Sequence, residues 1–403
     1  MAPGKLGIVA DDLTGAMDSS GYFASLGYST VVILDPAYPS AADVVVITTN
    51  SRAEDPARAR ERLAQAVGGL GGRVVYKKID STLRGNVGVE LEAAMAALKS
   101  EKAIVAPAFP AVGRTTVNGV LLVNGVPVAE TQFARDPVSP VKESHIPTLL
   151  AKSMGRGVAT ISSKDIEAGA ESLHRKVTQM PEKVIVADVT DQSHLVGIVE
   201  ANVLAQGRWL LCGSGGMARE LHLFLGKPPK SIRAAKSNTT MGPALVIIGS
   251  QNQVAGKQLL KAKEELGLPM VNVDVDNLNA EKLAAEASRI LAQGKSVAIT
   301  STFARYVPEL KQSIGLFLAD AAINILSKQK AGGLFLSGGD IALAVCQKLG
   351  IAAIKVTGEV EAGIPAGELI GGRGEGMRVV TKAGGFGTEQ ALVKALGYLE
   401  RKE

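Results

Sequence analysis

The chain has 403 residues, 46% hydrophobic and 21% charged, the mix of an ordinary folded protein of roughly two or three domains. Two cysteines rule out a disulfide framework or a cysteine-based zinc site, and 4% aromatic residues argue against stacking platforms for nucleic acid. The 44 basic residues outnumber the 39 acidic ones without forming any Lys/Arg block, the pattern of a solvated surface or, alternatively, of a protein that draws in a small anion.

In chain order, Leu6–Ala10, Thr30–Leu34, Val44–Thr48, Val74–Ile79 and Ala103–Ala106 read as strands rich in Val and Ile. Between them, Asp18–Leu26, Pro56–Val67 and Val87–Leu98 carry helical spacing of apolar positions. Such alternation predicts parallel sheets with helices on both faces. Asn124-Gly125, set between apolar runs, predicts a tight β-hairpin inserted in this first domain. Strands resume at Val184–Ala187 and Trp209–Cys212, with a helix after Asp191 and another over Met217–Leu225. The polar, proline-containing stretch that follows has no period and reads as a linker. A second series then places strands at Ala244–Ile248, Met270–Val273, Val297–Thr300, Leu334–Leu336, Ala353–Val356 and Arg378–Thr381, and a last helix after Gly387. The expected architecture is α/β in two domains, 1–228 and 244–403, joined by a linker at 229–243. Each domain is expected to be a largely parallel sheet flanked by helices. With an apolar strand starting at Leu6, no secretory signal and no membrane-length apolar run, a cytoplasmic protein is expected.

In open parallel sheets, ligands bind where strands end at their carboxyl side. The first strand ends in Asp11-Asp12-Leu13-Thr14-Gly15, two carboxylates and a hydroxyl ahead of a helix. One aspartate there can take a proton from a substrate hydroxyl or hold it by hydrogen bond; the alternative is a plain helix cap. Neighbouring strand residues point to opposite faces, so either Asp11 or Asp12 can be the base. The fourth strand ends in Lys78-Ile79-Asp80-Ser81-Thr82-Leu83-Arg84, more polar groups than capping requires. Lys78 and Arg84 suit a carboxylate, and Ser81 and Thr82 suit hydroxyls. Arg52, after the third strand, is divided evenly between ligand and surface roles.

The second domain carries glycine turns at strand exits: Gly249-Ser250, Ser337-Gly338-Gly339-Asp340, Gly358-Glu359-Val360-Glu361 and Ala383-Gly384-Gly385-Phe386-Gly387. Their number favours a nucleotide or phosphate cradle over ordinary tight turns. Gly294-Lys295-Ser296 is not a P-loop, because Arg289 stands where the upstream glycine is needed. No His-Glu-x-x-His motif and no nucleophile elbow are present, and the four histidines are scattered.

These motifs resemble the four-carbon acid sugar kinases over nearly the whole chain. Asp11-Asp12-Leu13-Thr14-Gly15, Lys78–Asn86 and Pro107-Ala108-Phe109-Pro110 resemble the N-terminal half of that family. Gly338-Gly339-Asp340, Gly358–Glu361 and Thr381–Gly387 are similar to its nucleotide-binding half. The resemblance implies ATP-dependent phosphorylation of the terminal hydroxyl of threonate, erythronate or 3-oxo-tetronate. It implies sugar-acid contacts from Asp12, Arg52 and Asp80 to Arg84, with Leu83 in that turn. It implies ATP contacts from Ser250, Gly358, Glu359, Val360, Glu361, Gly384 and Gly385. Ile341 stands where family members often carry threonine. Phosphoryl transfer needs positioning and charge neutralisation, supplied by the glycine cradle, basic side chains and Mg²⁺, whose ligands the motifs leave unassigned. In-line transfer is expected in the cleft between the domains. Expected partners are the sugar acid and ATP, with no nucleic acid and no membrane; homo-oligomerisation is left open. The rivals are a non-catalytic sugar-acid or nucleotide sensor, which has no use for Asp11 and Asp12, and a nicotinamide oxidoreductase, which lacks its glycine fingerprint.

Overall fold

A strand covered by helices on both faces has no solvent side, so its residues are apolar without alternation. In the computed structural model, Leu6–Ala10 and Val184–Ala187 are buried at every position, as this requires. The structure describes residues 4–136, 138–228, 242–250, 252–305, 307 and 310–400. Two compact units form, Met1–Ser19 with Ala41–Pro228, and Ser20–Ser40 with Pro229–Glu403. The expected linker, 229–243, lies outside the described residues apart from Gly242 and Pro243.

The first unit holds a parallel sheet in the order Val44–Thr48, Leu6–Ala10, Val74–Lys78, Leu210–Gly213, Ala103–Ala106, Val184–Ala187, Ala159–Ile161. Ala10 is in register with Thr48 on one side and Lys78 on the other. The segments that leave these three strands therefore emerge side by side on one edge. Helix Pro56–Gly68 starts where the Asp55 carboxylate accepts from the Ala57 and Arg58 amides, with proline at the first position. Ala159–Ile161 is an edge strand of three residues, too short to show a period. The helix expected over Met217–Leu225 starts earlier, at Gly215, and continues past Ala218 as a tighter turn over Arg219–Phe224.

The hairpin insertion is a three-stranded antiparallel sheet, Arg114–Val117, Val120–Val123 and Val126–Pro127. Asn124 and Gly125 have φ of 50° and 82°, and Asn118 and Gly119 have 50° and 74°. Both are two-residue turns that need left-handed backbone twice in succession, which Asn-Gly tolerates. The Asp188 carboxylate accepts from the Asn118 and Gly119 amides and anchors the first turn.

The second unit orders its strands Met270–Asn272, Val297–Thr300, Ala244–Ile248, Gly333–Ser337, Arg378–Lys382, Ile364–Ile370, Ala353–Glu361, Thr30–Ile33. The first five run parallel, and the last three join antiparallel. The segment Ser20–Ser40 belongs here because Thr30–Ile33 pairs with Ala353–Val356, whereas the expected first domain runs unbroken through it. Ala244, Val246 and Ile248 pack with Phe335, Val380 and Leu392 in the core of this unit. Among the described residues, no helix is long and apolar enough to cross a membrane.

Candidate active site

The three adjacent strands of the first unit bring Asp11, Asp12, Arg52, Lys78, Asp80 and Arg84 into one cluster. Arg52 is its hub. Its Nε and Nη2 donate to Asp11 at 2.8 and 3.0 Å, and Nη2 lies 2.8 Å from Asp12 and 3.8 Å from Asp80. Burial works against the Arg52 charge, yet Asp11, Asp12 and Asp80 together hold it well above its ordinary value. For Asp11, burial pushes the carboxyl up, and the Arg52 charge and hydrogen bonds outweigh that and bring it down. Gly85, at φ 92°, makes this approach feasible, since a Cβ there would sit 3.1 Å from Arg52 Cγ.

Asp11 and Asp12 differ in access. The Asp11 side chain is 4% exposed and that of Asp12 16%. Asp12 accepts from Thr14 Oγ1 at 2.7 Å on one oxygen and from the Gly15 amide at 2.9 Å on the other, so it braces the helix start while staying partly exposed. A Cβ on Gly15 would lie 2.5 Å from Asp12 Oδ1 and 3.1 Å from Lys78 Nζ, which places that amine beside the carboxylate. Lys78 Nζ donates to the Ile79 carbonyl at 3.1 Å.

Asp80 accepts from Arg84 Nε and Nη2 at 2.9 and 3.0 Å, and from the Thr82 amide and hydroxyl. Burial would raise this carboxyl, but Arg84 and Arg52 hold it well below its ordinary value. Arg84 also reaches Asp136 at 3.3 Å and lies over the Phe133 ring. Leu83 is buried at φ 63°, a left-handed conformation that is strained for a bulky residue and common where function demands a turn. Ser81 is partly exposed in the same turn.

Lys77 points the other way. It forms a buried ion pair with Glu90 at 2.7 Å, and Glu90 accepts from Ser51 at 2.5 Å. Burial opposes the Lys77 charge, and Glu90 and Asp11 raise it overall. The signal for this pair in the sequence is the lone acid in the apolar stretch Val87–Leu91.

In the second unit, Ala244–Ile248, Gly333–Ser337 and Arg378–Lys382 are neighbours, and their exits converge. A Cβ on Gly384 would overlap Ser250 Oγ, and one on Gly385 would lie 3.4 Å from Asn252. Gly338, at φ 113°, caps helix Gly339–Leu349, whose first turn carries an exposed Asp340. Helix Gln253–Leu266 starts at Asn252 close by. Free amides at helix starts and glycines without side chains are what a phosphate needs. Lys382 Nζ donates to the carbonyls of Ala383, Gly384 and Phe386 at 3.0, 2.8 and 3.1 Å, tying the last glycine turn together. Burial brings this amine down to about 8, with Glu361 opposing.

Two matches divide the chain as these features do. Residues 6–221 match the family model of a sugar-binding N-terminal domain, and residues 245–392 that of a nucleotide-binding C-terminal domain. The chain belongs to the four-carbon acid sugar kinase family. It is 32% identical to a D-threonate kinase of Salmonella typhimurium, over 98% of each chain. It is 30% identical to a D-erythronate kinase of Heliobacterium modesticaldum, over 98% of this chain and 97% of that one. A solved Salmonella typhimurium structure matches with TM-score 0.80 at 24% identity, over 98% of this chain and 99% of that one, a likeness of fold alone. A Bordetella bronchiseptica structure, a domain-swapped dimer with bound citrate, matches with TM-score 0.50 at 33% identity, over 98% of each chain. The kinase is therefore an ATP-dependent phosphotransferase acting on a hydroxyl group, which displaces the sensor and nicotinamide readings.

One expectation about local structure of the kinase is corrected. Gly358, Glu359, Val360 and Glu361 were expected in a turn at a strand exit, and they lie inside the long strand Ala353–Glu361. Irregular pairing between Val356 and Gly358 and between Glu359 and Glu361 lets this glycine-bearing segment stay in the ladder. Glu361 accepts from the Thr388 amide and hydroxyl at 2.5 and 2.9 Å and from Lys394 at 3.1 Å, beside the last glycine turn. Burial would raise Glu361, and Thr388 and Lys394 hold it below its ordinary value. Ile341, in the place where threonine is frequent, is buried and packs its Cδ1 on Gly249.

Proposed function

We propose that the kinase transfers the γ-phosphoryl group of ATP to the terminal hydroxyl of threonate, erythronate or 3-oxo-tetronate, giving the 4-phosphate. The observation that carries this reading is the Asp12 carboxylate, fixed by Thr14 at one oxygen and by the Gly15 amide and Arg52 at the other, with its side chain still partly exposed. A carboxylate fixed in this way can orient the hydroxyl and accept its proton as the oxygen attacks. Asp11, almost fully enclosed and bonded twice to Arg52, acts as the brace that keeps the guanidinium in place. Lys78, beside Asp12, offers positive charge where the transferred group gains negative charge. Arg52 and the turn from Asp80 to Arg84 line the acid.

Ser250, Gly338, Gly339, Asp340, Gly384 and Gly385 form the phosphate cradle in this reading, with Gly358 to Glu361 at its side. Mg²⁺ neutralises phosphate charge. Among the described residues, no group of three or more His, Cys, Asp or Glu side chains is arranged to hold a metal. The exposed Asp340 in the first turn of helix Gly339–Leu349 would supply a carboxylate to an ion carried by the nucleotide phosphates, the usual habit of Mg²⁺. Citrate in the Bordetella bronchiseptica structure, a hydroxy acid with several carboxylates, supports an anion site of this chemistry. The swapped dimer in the same structure supports a homo-oligomer here, which light scattering of the purified chain tests.

The test is a coupled ADP-release assay with both threonate enantiomers, both erythronates and 3-oxo-tetronates. Turnover on one acid, followed by phosphorus NMR of the product, names substrate and position together. Silence across the panel in the presence of ATP and Mg²⁺ would overturn the assignment.

A further inference from the structure

We propose that Arg114 binds the carboxylate of the sugar acid, so that the substrate lies with its terminal hydroxyl at Asp12 and its carboxylate end at the hairpin insertion. This rests on the kinase reading above and adds an orientation and a specificity residue to it.

The argument is one of charge. A guanidinium recognises a carboxylate well when its own charge and donors are not already engaged. Arg52 faces Asp11, Asp12 and Asp80 at 2.8, 2.8 and 3.8 Å. Arg84 donates from Nε, Nη1 and Nη2 to Asp80 and Asp136. Both arginines are largely neutralised before any ligand arrives. Arg114 is different. Its Nη1 donates to the Val112 carbonyl, its Nε is buried with no acceptor, and among the described residues no carboxylate stands in ion-pair range. A buried guanidinium donor without a partner is costly, and an incoming carboxylate oxygen would satisfy it.

Its position fits. Arg114 opens strand Arg114–Val117 and is pinned to Phe109 by two backbone hydrogen bonds of 2.9 and 3.1 Å. Phe109 follows closely on strand Ala103–Ala106, whose exit is on the same edge of the sheet as Ala10 and Lys78. The Arg114 guanidinium is near enough to Asp80 and Arg84 for both to act on its charge, and burial lowers it below its ordinary value. Lys78 lies beside Asp12, the residue placed at the reacting hydroxyl, and its amine donates to the Ile79 carbonyl. The hairpin thus supplies a residue that recognises the acid group, while the parallel sheet supplies the reacting end.

The test compares the acid with the neutral tetritol of the same stereochemistry. In wild type, kcat/KM for the acid exceeds that for the tetritol; in Arg114→Gln the ratio is expected to fall about ten- to a hundredfold. Arg114→Lys, which keeps charge but not the two-pronged donor, should recover part of it. Calorimetric binding of the acid without ATP gives a readout that does not need turnover, with affinity falling by a similar factor in Arg114→Gln. An unchanged ratio and unchanged affinity would overturn the proposal, as would failure of both variants to fold, since the role would then be structural. Acid binding by wild type without turnover would overturn the kinase substrate assignment while leaving Arg114 to be judged by calorimetry. Absence of acid binding to wild type would overturn both.

Discussion

The two candidate binding regions are made of different material. In the first unit the site is built from side chains: Arg52 and Arg84 are partly buried, and carboxylates at 2.8 to 3.8 Å outweigh the opposition of burial to their charge. In the second unit the site is built from backbone: glycines, helix starts and carbonyls. Its buried amine, Lys382, faces three carbonyls, and its proton affinity falls. A hydroxy acid needs cations and hydroxyl acceptors placed individually, whereas a polyphosphate needs many equivalent amide donors and no obstruction.

The sharpest break of this comparison is Asp12→Asn, which keeps an oxygen for the Gly15 amide but cannot accept a proton. Turnover is expected to fall about 10²- to 10⁴-fold with ATP affinity unchanged, by ADP release and nucleotide titration. Near-wild-type turnover would move the base to Asp11.

Asp80→Asn comes next. It leaves Arg84 and Arg52 short of an anion and should cost about 3 kcal/mol in denaturant unfolding. Because folding lowers the Asp80 pKa, its contribution is complete above the ordinary value of 3.8 and is lost as pH falls toward the folded value. The variant should therefore lose part of the acid sensitivity of wild type below pH 3.8.

In the backbone-built region, Gly384→Ala puts a methyl group into Ser250 Oγ. Overpacking of about 1–3 kcal/mol should appear as a roughly ten- to a hundredfold rise in KM for ATP, with KM for the acid unmoved. A rise in both would mean that the glycine shapes more than the nucleotide cradle.

The smallest effect concerns Lys382. Its amine titrates near 8 when folded and at 10.5 when unfolded, so between those values the unfolded chain holds the extra proton. Stability should rise with pH through that window, by at most about 1.4 kcal/mol per pH unit, and Lys382→Met should remove the rise. Equal slopes for the two proteins would show that the carbonyls keep the amine charged.

Much of this was legible in the residues because the signals are local. Leu6–Ala10, Val44–Thr48, Ala103–Ala106, Val184–Ala187 and Ala244–Ile248 appear with the predicted ends, since an apolar run bounded by polar residues is its own evidence. Asn124-Gly125 made its turn because two successive left-handed residues permit few other sequences. The same signature at Asn118-Gly119 shows that the insertion has three strands, not two. Arg114 and Asp136 gave no such signal, because each matters through residues distant in the chain.

By itself, the sequence determined the α/β class, the strand exits that bear chemistry, and the types of group found there. It could do so because hydrophobic period and turn chemistry act over a few residues. Tertiary structure alone decided how the two neighbours of each pair differ: Asp12 is partly exposed and Asp11 enclosed, Lys78 lies beside Asp12 and Lys77 is locked to Glu90. It also decided that Thr30–Ile33 pairs with a strand more than 300 residues away, and that Gly358–Glu361 continues a strand instead of turning. Those outcomes depend on register, burial and the sum of charges around a group, and these are set by whatever the rest of the chain packs against it.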